Sequence, residues 1–96
     1  MTRTIRFMFD HWQRWPLWET GADDGPTREP ADYGLSAQLT ERLRLVNEFW
    51  QLHFHHDTGW DSPESLATWT ADTNQALAIL RREVSDIADV VDERGV

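Results

Sequence analysis

From residue 4 to residue 9 apolar and polar side chains alternate, with Ile5, Phe7 and Phe9 on one side and Arg6, Met8 and Asp10 on the other. That period of two predicts a half-buried strand. Trp12, Trp15 and Trp18 recur every third residue, a helix-like spacing, but Pro16 stands among them and blocks a helix. A short second strand at Leu17–Glu19, returning against the first as a hairpin, fits instead. Residues 20–34 then carry Gly21, Asp23, Asp24, Gly25, Pro26, Pro30, Asp32 and Gly34, a density of turn formers that predicts one long mobile loop.

Beyond Gly34 the period changes. Ser36 is placed to cap a helix in which Leu39, Leu43, Val46 and Trp50 form an apolar stripe. Leu45, Phe49 and Leu52 widen that stripe, so the helix is expected to be covered on more than one side. It should end at His53–His56, ahead of Asp57-Thr58-Gly59. Asp61 or Ser62 then caps a second helix with Pro63 in its first turn, and Leu66, Trp69, Thr73, Ala76, Leu77, Leu80 and Val84 form its inner face. In the tail, Val84, Ile87, Ala88 and Val91 would extend the helical stripe, whereas Ala88–Asp92 would make a third strand beside the first. A two-stranded sheet alone is marginal, which favours the strand. The expected architecture is α+β: a two-layer single domain spanning 1–96, in the order ββααβ, with a small, mostly antiparallel sheet packed on two antiparallel helices.

Length and composition narrow the functional classes. The 96 residues hold one core, and the absence of cysteine removes disulfides, thiol nucleophiles and thiolate zinc sites. No apolar run is long enough to span a membrane, and Arg3 and Arg6 interrupt the N-terminus where a signal peptide would be apolar, so a cytoplasmic location is expected. The formal net charge is −8, and every basic residue is an arginine. This balance speaks against direct nucleic-acid binding, since phosphates demand basic neutralisation, and it suits either plain solubility or a basic partner.

The segments Ile5-Arg6-Phe7-Met8-Phe9-Asp10, Trp15-Pro16-Leu17-Trp18-Glu19 and Tyr33-Gly34-Leu35-Ser36, with Leu39 and Leu43, resemble a group of short acidic proteins of high-GC actinobacteria. In size and acidity the chain also resembles immunity proteins and antitoxins, which would imply a non-enzymatic inhibitor of a basic toxin.

Three constellations bear chemistry. The first is His53-Phe54-His55-His56-Asp57, in which His53, His56 and Asp57 are candidate metal ligands, with His11 as a possible fourth; the same histidines also suit a helix end, where they meet free carbonyls. The second is the acidic run Asp86, Asp89, Asp92 and Glu93, either a surface for a basic partner or a solvated face. The third is the tryptophan set. Trp50 and Trp69 lie on helical stripes and belong to the core, Trp60 closes the interhelical end, and Trp18 is expected under the sheet. Trp12 and Trp15 either fold back into the core or, flanked by Arg14, form a partner-binding hot spot or a homodimer contact. No Walker lysine, nucleophile elbow or GxGxxG motif is present, so no enzyme and no cofactor is expected. A protein-binding module is the leading reading, with a small metal-binding protein or a homodimeric structural protein as alternatives.

Overall fold

The computed structural model describes residues 3–19 and 28–94. Strand β1 (Arg3–Phe7) is the central strand of a three-stranded sheet. β2 (Leu17–Glu19) lies antiparallel on one side, and β5 (Ala88–Asp92) parallel on the other. Helix α1 (Ala37–His53), a two-stranded hairpin of β3 (Phe54–His55) and β4 (Gly59–Trp60), and helix α2 (Pro63–Glu83) complete the chain. The expected ββααβ α+β frame is therefore present, with the two-residue hairpin inserted between the helices.

The third strand exists, and its direction follows from the chain's route. Parallel neighbours need a long crossover, and α1 with α2 supplies it between β1 and β5. Two of the three strand pairings are antiparallel. Both helices begin as the capping residues dictate. Ser36 Oγ accepts from the Leu39 N–H at 3.1 Å, and Ser62, rather than Asp61, accepts from the Ser65 N–H at 3.0 Å. The Ser36 N–H and hydroxyl both reach the Glu83 carboxylate, at 2.8 and 2.6 Å, while His53 at the other end of α1 meets Asp61 just before α2. Start meets end at both poles, so the helices are antiparallel.

The core joins Ile5, Phe7 and Leu17 of the sheet to Leu39, Leu43 and Trp50 of α1 and to Trp69, Leu77 and Leu80 of α2. Trp69 is its largest fully buried side chain, 1% exposed, and its ring lies 5.0 Å from Phe9 and 5.1 Å from Trp60. Trp60 thus closes the interhelical end, as its place in the sequence suggests.

Four expectations need correction. β1 stops at Phe7, two residues early; Phe9 stays buried, but the chain beyond Phe7 pairs only through the Met8 N–H to Pro16 O contact at 3.4 Å. Trp18 does not lie on the core side of the sheet. Leu17 opposes Phe7 on that face, so the alternation along the strand turns Trp18 to the other face, opposite Arg6, with its indole N–H donating to Met8 O at 3.0 Å. The wide face of α1 is not covered throughout: Leu45 is 50% and Leu52 64% exposed, because a two-layer domain has no third element to lay over them. Finally, residues 28–34 are not irregular loop. Pro30–Tyr33 forms a 3-10 helix with a reciprocal capping box between Glu29 and Asp32, and Gly34 ends it at φ 63°. The rest of the expected mobile loop, residues 20–27 including Asp23 and Asp24, lies outside the described residues.

Tyr33 anchors this 3-10 helix to the sheet. Its hydroxyl donates to Glu19 at 3.0 Å, and Arg3 binds the same carboxylate at 2.7 Å. Burial and the adjacent carboxylate push the Tyr33 phenol up to about 12. Burial acts to raise Glu19, but the hydrogen bonds from Arg3 and Tyr33 and the charges of Arg3 and Arg28 outweigh it and hold the carboxyl below its ordinary value.

Candidate functional site

The segment between β1 and β2 presents Trp12. This residue is 94% exposed, and its φ of 68° makes it the one non-glycine residue in the left-handed region among those described. An L-residue held there costs about 1–2 kcal/mol relative to its preferred conformations. Such strain persists only where the surroundings over-determine it.

The surroundings here are two amides one turn apart on α1. Asn47 Nδ2 donates to Gln13 O at 2.9 Å and to Arg14 O at 3.0 Å. Gln51 Nε2 donates to Asp10 O at 2.8 Å, and its Oε1 accepts from the Trp12 N–H at 3.3 Å. At the start of the loop the Asp10 carboxylate accepts from the His11 N–H at 2.8 Å. The loop is therefore fastened on both sides of Trp12 by a rigid helix, while the indole itself stands in solvent. Sequence reasoning missed Asn47 and Gln51. Asn47 carried a signal: it is a polar residue on the inner face of α1, beside Val46 and Trp50, and it is buried in the structure.

Trp15 is half-buried and packs against the core, with Pro16 buried after it. Trp12 and Trp15 thus have different fates, one free and one partly embedded. Between them opens a cleft of about 530 Å³ whose walls also include Arg14, Arg28, Glu29 and Asp32. A second hollow of about 310 Å³ shares Arg14, Trp15 and Glu29 with the first and continues over Pro30 to Leu35 and Thr40. The two make one groove across the loop, the 3-10 helix and the start of α1. The structure thus unites Trp12, Arg14 and Trp15, and adds to them three charged residues that sequence spacing did not connect.

The other candidates lie elsewhere. None of Asp86, Asp89, Asp92 and Glu93 lines the cleft. Asp86 and Asp89 are exposed, Asp92 pairs with Arg94 at 2.8 Å, and Glu93 pairs with Arg6 at 2.9 Å. The hydrogen bonds from Arg94, outweighing the opposing effect of burial, hold the Asp92 carboxyl below its ordinary value.

The histidine cluster is divided by the β3–β4 hairpin. His53 Nδ1 lies 2.6 Å from Asp61 Oδ2, and its ring lies against Phe49 at 4.2 Å. Hydrogen bonds from Ser65 and His53 lower the Asp61 carboxyl. His56 pairs instead with Asp57 at 3.1 Å in the exposed turn, and its ring meets His11 at 5.6 Å. Among the described residues no three His, Asp or Glu side chains converge as metal ligands would.

The exposed, backbone-fastened indole and the groove beside it belong to a small α+β domain. The family model described as Serratia CdiI immunity protein-like matches residues 3–91. The chain belongs to that family. A search among curated proteins found no match.

Proposed function

We propose that this chain is an immunity protein: it binds a toxin protein and blocks it, catalysing no reaction of its own. The family membership supports the class of function, and the Trp12 loop supports the place of contact. The observation that carries the assignment of this face is the combination of near-total exposure with a fastened, left-handed backbone at Trp12. Hydrophobic collapse does not account for the position of a side chain that buries almost nothing, whereas a waiting partner surface does. Interface anchors of this kind are enriched in tryptophan and arginine, which describes Trp12, Arg14 and Trp15. The net charge of −8 favours a basic toxin surface and acts on the rate of encounter as well as on the contact. Action in the cytoplasm is part of this proposal.

The test is co-expression in a growth assay with a candidate toxin domain, sought first among the genes that neighbour this chain's. The wild-type chain should restore growth, and a Trp12→Ala, Trp15→Ala variant that keeps its circular dichroism spectrum should not. Full protection by that folded variant would move the inhibitory face elsewhere on the molecule.

A further inference from the structure

The groove beside Trp12 has a composition that selects what enters it. Its two carboxylates, Glu29 and Asp32, have no guanidinium within ion-pairing distance among the described residues. Of its two arginines, Arg28 already faces Glu19 at 4.0 Å, which leaves Arg14 as the one cation of the walls without an ion pair among the described residues. The walls thus hold two carboxylates and two guanidiniums, and what favours a cation is that both carboxylates stand without a guanidinium partner among the described residues. Trp12 and Trp15 add indole faces, whose quadrupoles are negative. Aromatic faces with adjacent carboxylates attract a planar, weakly hydrated cation above other side chains.

We infer that the cleft between Trp12, Trp15, Glu29 and Asp32 is the seat of an arginine side chain of the partner. Resting on the reading of this face as the toxin-binding one, this gives the partner's anchoring chemistry. The guanidinium lies against the indoles and donates to the carboxylates, and the neighbouring hollow over Pro30 and Leu35 receives an apolar residue adjacent to that arginine. The capping box does not compete, because it uses backbone N–H groups as donors and leaves each carboxylate its charge and further lone pairs: Asp32 Oδ2 accepts from the Glu29 N–H at 2.8 Å.

The probe is N-acetyl-arginine methylamide, titrated into the whole chain while the tryptophan indole N–H signals are followed by NMR. The expected result is saturable shifts of the Trp12 and Trp15 indoles with a dissociation constant on the order of millimolar, the scale of a single anchored side chain. The citrulline analogue, which has the same shape without the charge, should bind at least about fivefold more weakly, since the cation–π and ionic parts are lost. The double variant Glu29→Gln, Asp32→Asn keeps an acceptor oxygen for each cap and should weaken the arginine probe by a similar factor. Trp12→Ala, at a position too exposed to affect folding, should do so as well. Equal binding of the arginine and citrulline probes, preference for N-acetyl-aspartate methylamide, or shifts that persist in both variants would overturn the inference. Growth protection that depends on Trp12 while the arginine probe fails would retain the proposed function and reject this anchor. Loss of the first with success of the second would do the reverse.

Discussion

Replacing Trp12 by glycine separates what the residue does for its own fold from what it does for a partner. The indole is 94% exposed, so its removal returns almost no apolar area to water. The backbone at φ 68° disfavours an L-residue by about 1–2 kcal/mol, and glycine escapes that cost. Glycine in turn gives up about 0.5–1 kcal/mol through the greater freedom of its unfolded chain. The difference leaves Trp12→Gly between neutral and about 1.5 kcal/mol more stable, a rise in melting temperature of at most roughly 6–12 °C for a domain of this size. Trp12→Ala keeps the strained conformation and should melt within about 0.5 kcal/mol of wild type. The N–H donated to Gln51 is retained in both. Against the toxin domain, both variants should lose about 2 kcal/mol or more of binding free energy, roughly thirtyfold in affinity. Thermal melts by circular dichroism and titration calorimetry measure the two quantities. A drop in stability beyond about 1 kcal/mol in both variants would show that Trp12 packs on its own chain. Unchanged affinity would show that its exposure has no use at the interface.

The remaining predictions concern the supports of the site. Asn47→Ala removes two hydrogen bonds and strands the Gln13 and Arg14 carbonyls; it should cost about 1–3 kcal/mol and expose residues 10–15 to limited proteolysis. Trp69→Ala should cost about 3–5 kcal/mol, a large part of the stability of a small domain, as measured by urea denaturation. Alkali should destabilise through Tyr33. Its phenol is raised to about 12 in the fold, so the stabilisation is complete below the ordinary value of 10.0 and is lost as pH rises from there through about 12; Tyr33→Phe should remove this limb. Glu19 acts in the opposite sense. Its lowered carboxyl stabilises the fold above the ordinary value of 4.5 and ceases to as pH falls through the depressed one, so Glu19→Gln should flatten the acid limb of stability measured against pH.

Much of the frame was legible because its causes are local. A short side-chain acceptor just ahead of an apolar helical stripe marks a cap, so Ser36, and Asp61 or Ser62, marked the two helix starts, and the structure chose Ser62 for the second. Alternation about Ile5 and Phe7 likewise showed a strand, and the Pro16 break showed that three tryptophans at helical spacing were no helix. The hairpin at residues 54–60 was less legible, since two-residue strands are too short to show a period. Its only signal was the Asp57-Thr58-Gly59 turn between Phe54 and Trp60, with Gly59 at φ 79°.

By itself, then, the sequence determined the two helices, the first two strand segments, the acidic balance and the identity of the conspicuous side chains, because propensity, periodicity and charge belong to residues and their near neighbours. Only the tertiary structure decided which faces those residues took. Leu17 filling the core sent Trp18 to the far side of the sheet, and the two-layer limit left Leu45 and Leu52 in solvent. The hairpin between the helices gave His53 to Asp61 and His56 to Asp57. The proposed binding face depends most on such distant contacts. Asn47 and Gln51 lie more than 30 residues from the loop they fasten, and Glu29 and Asp32 join Trp12 only where the 3-10 helix packs beside it. Whether a tryptophan serves core or interface depends on what else occupies the space beside it, and that is settled when the whole chain packs.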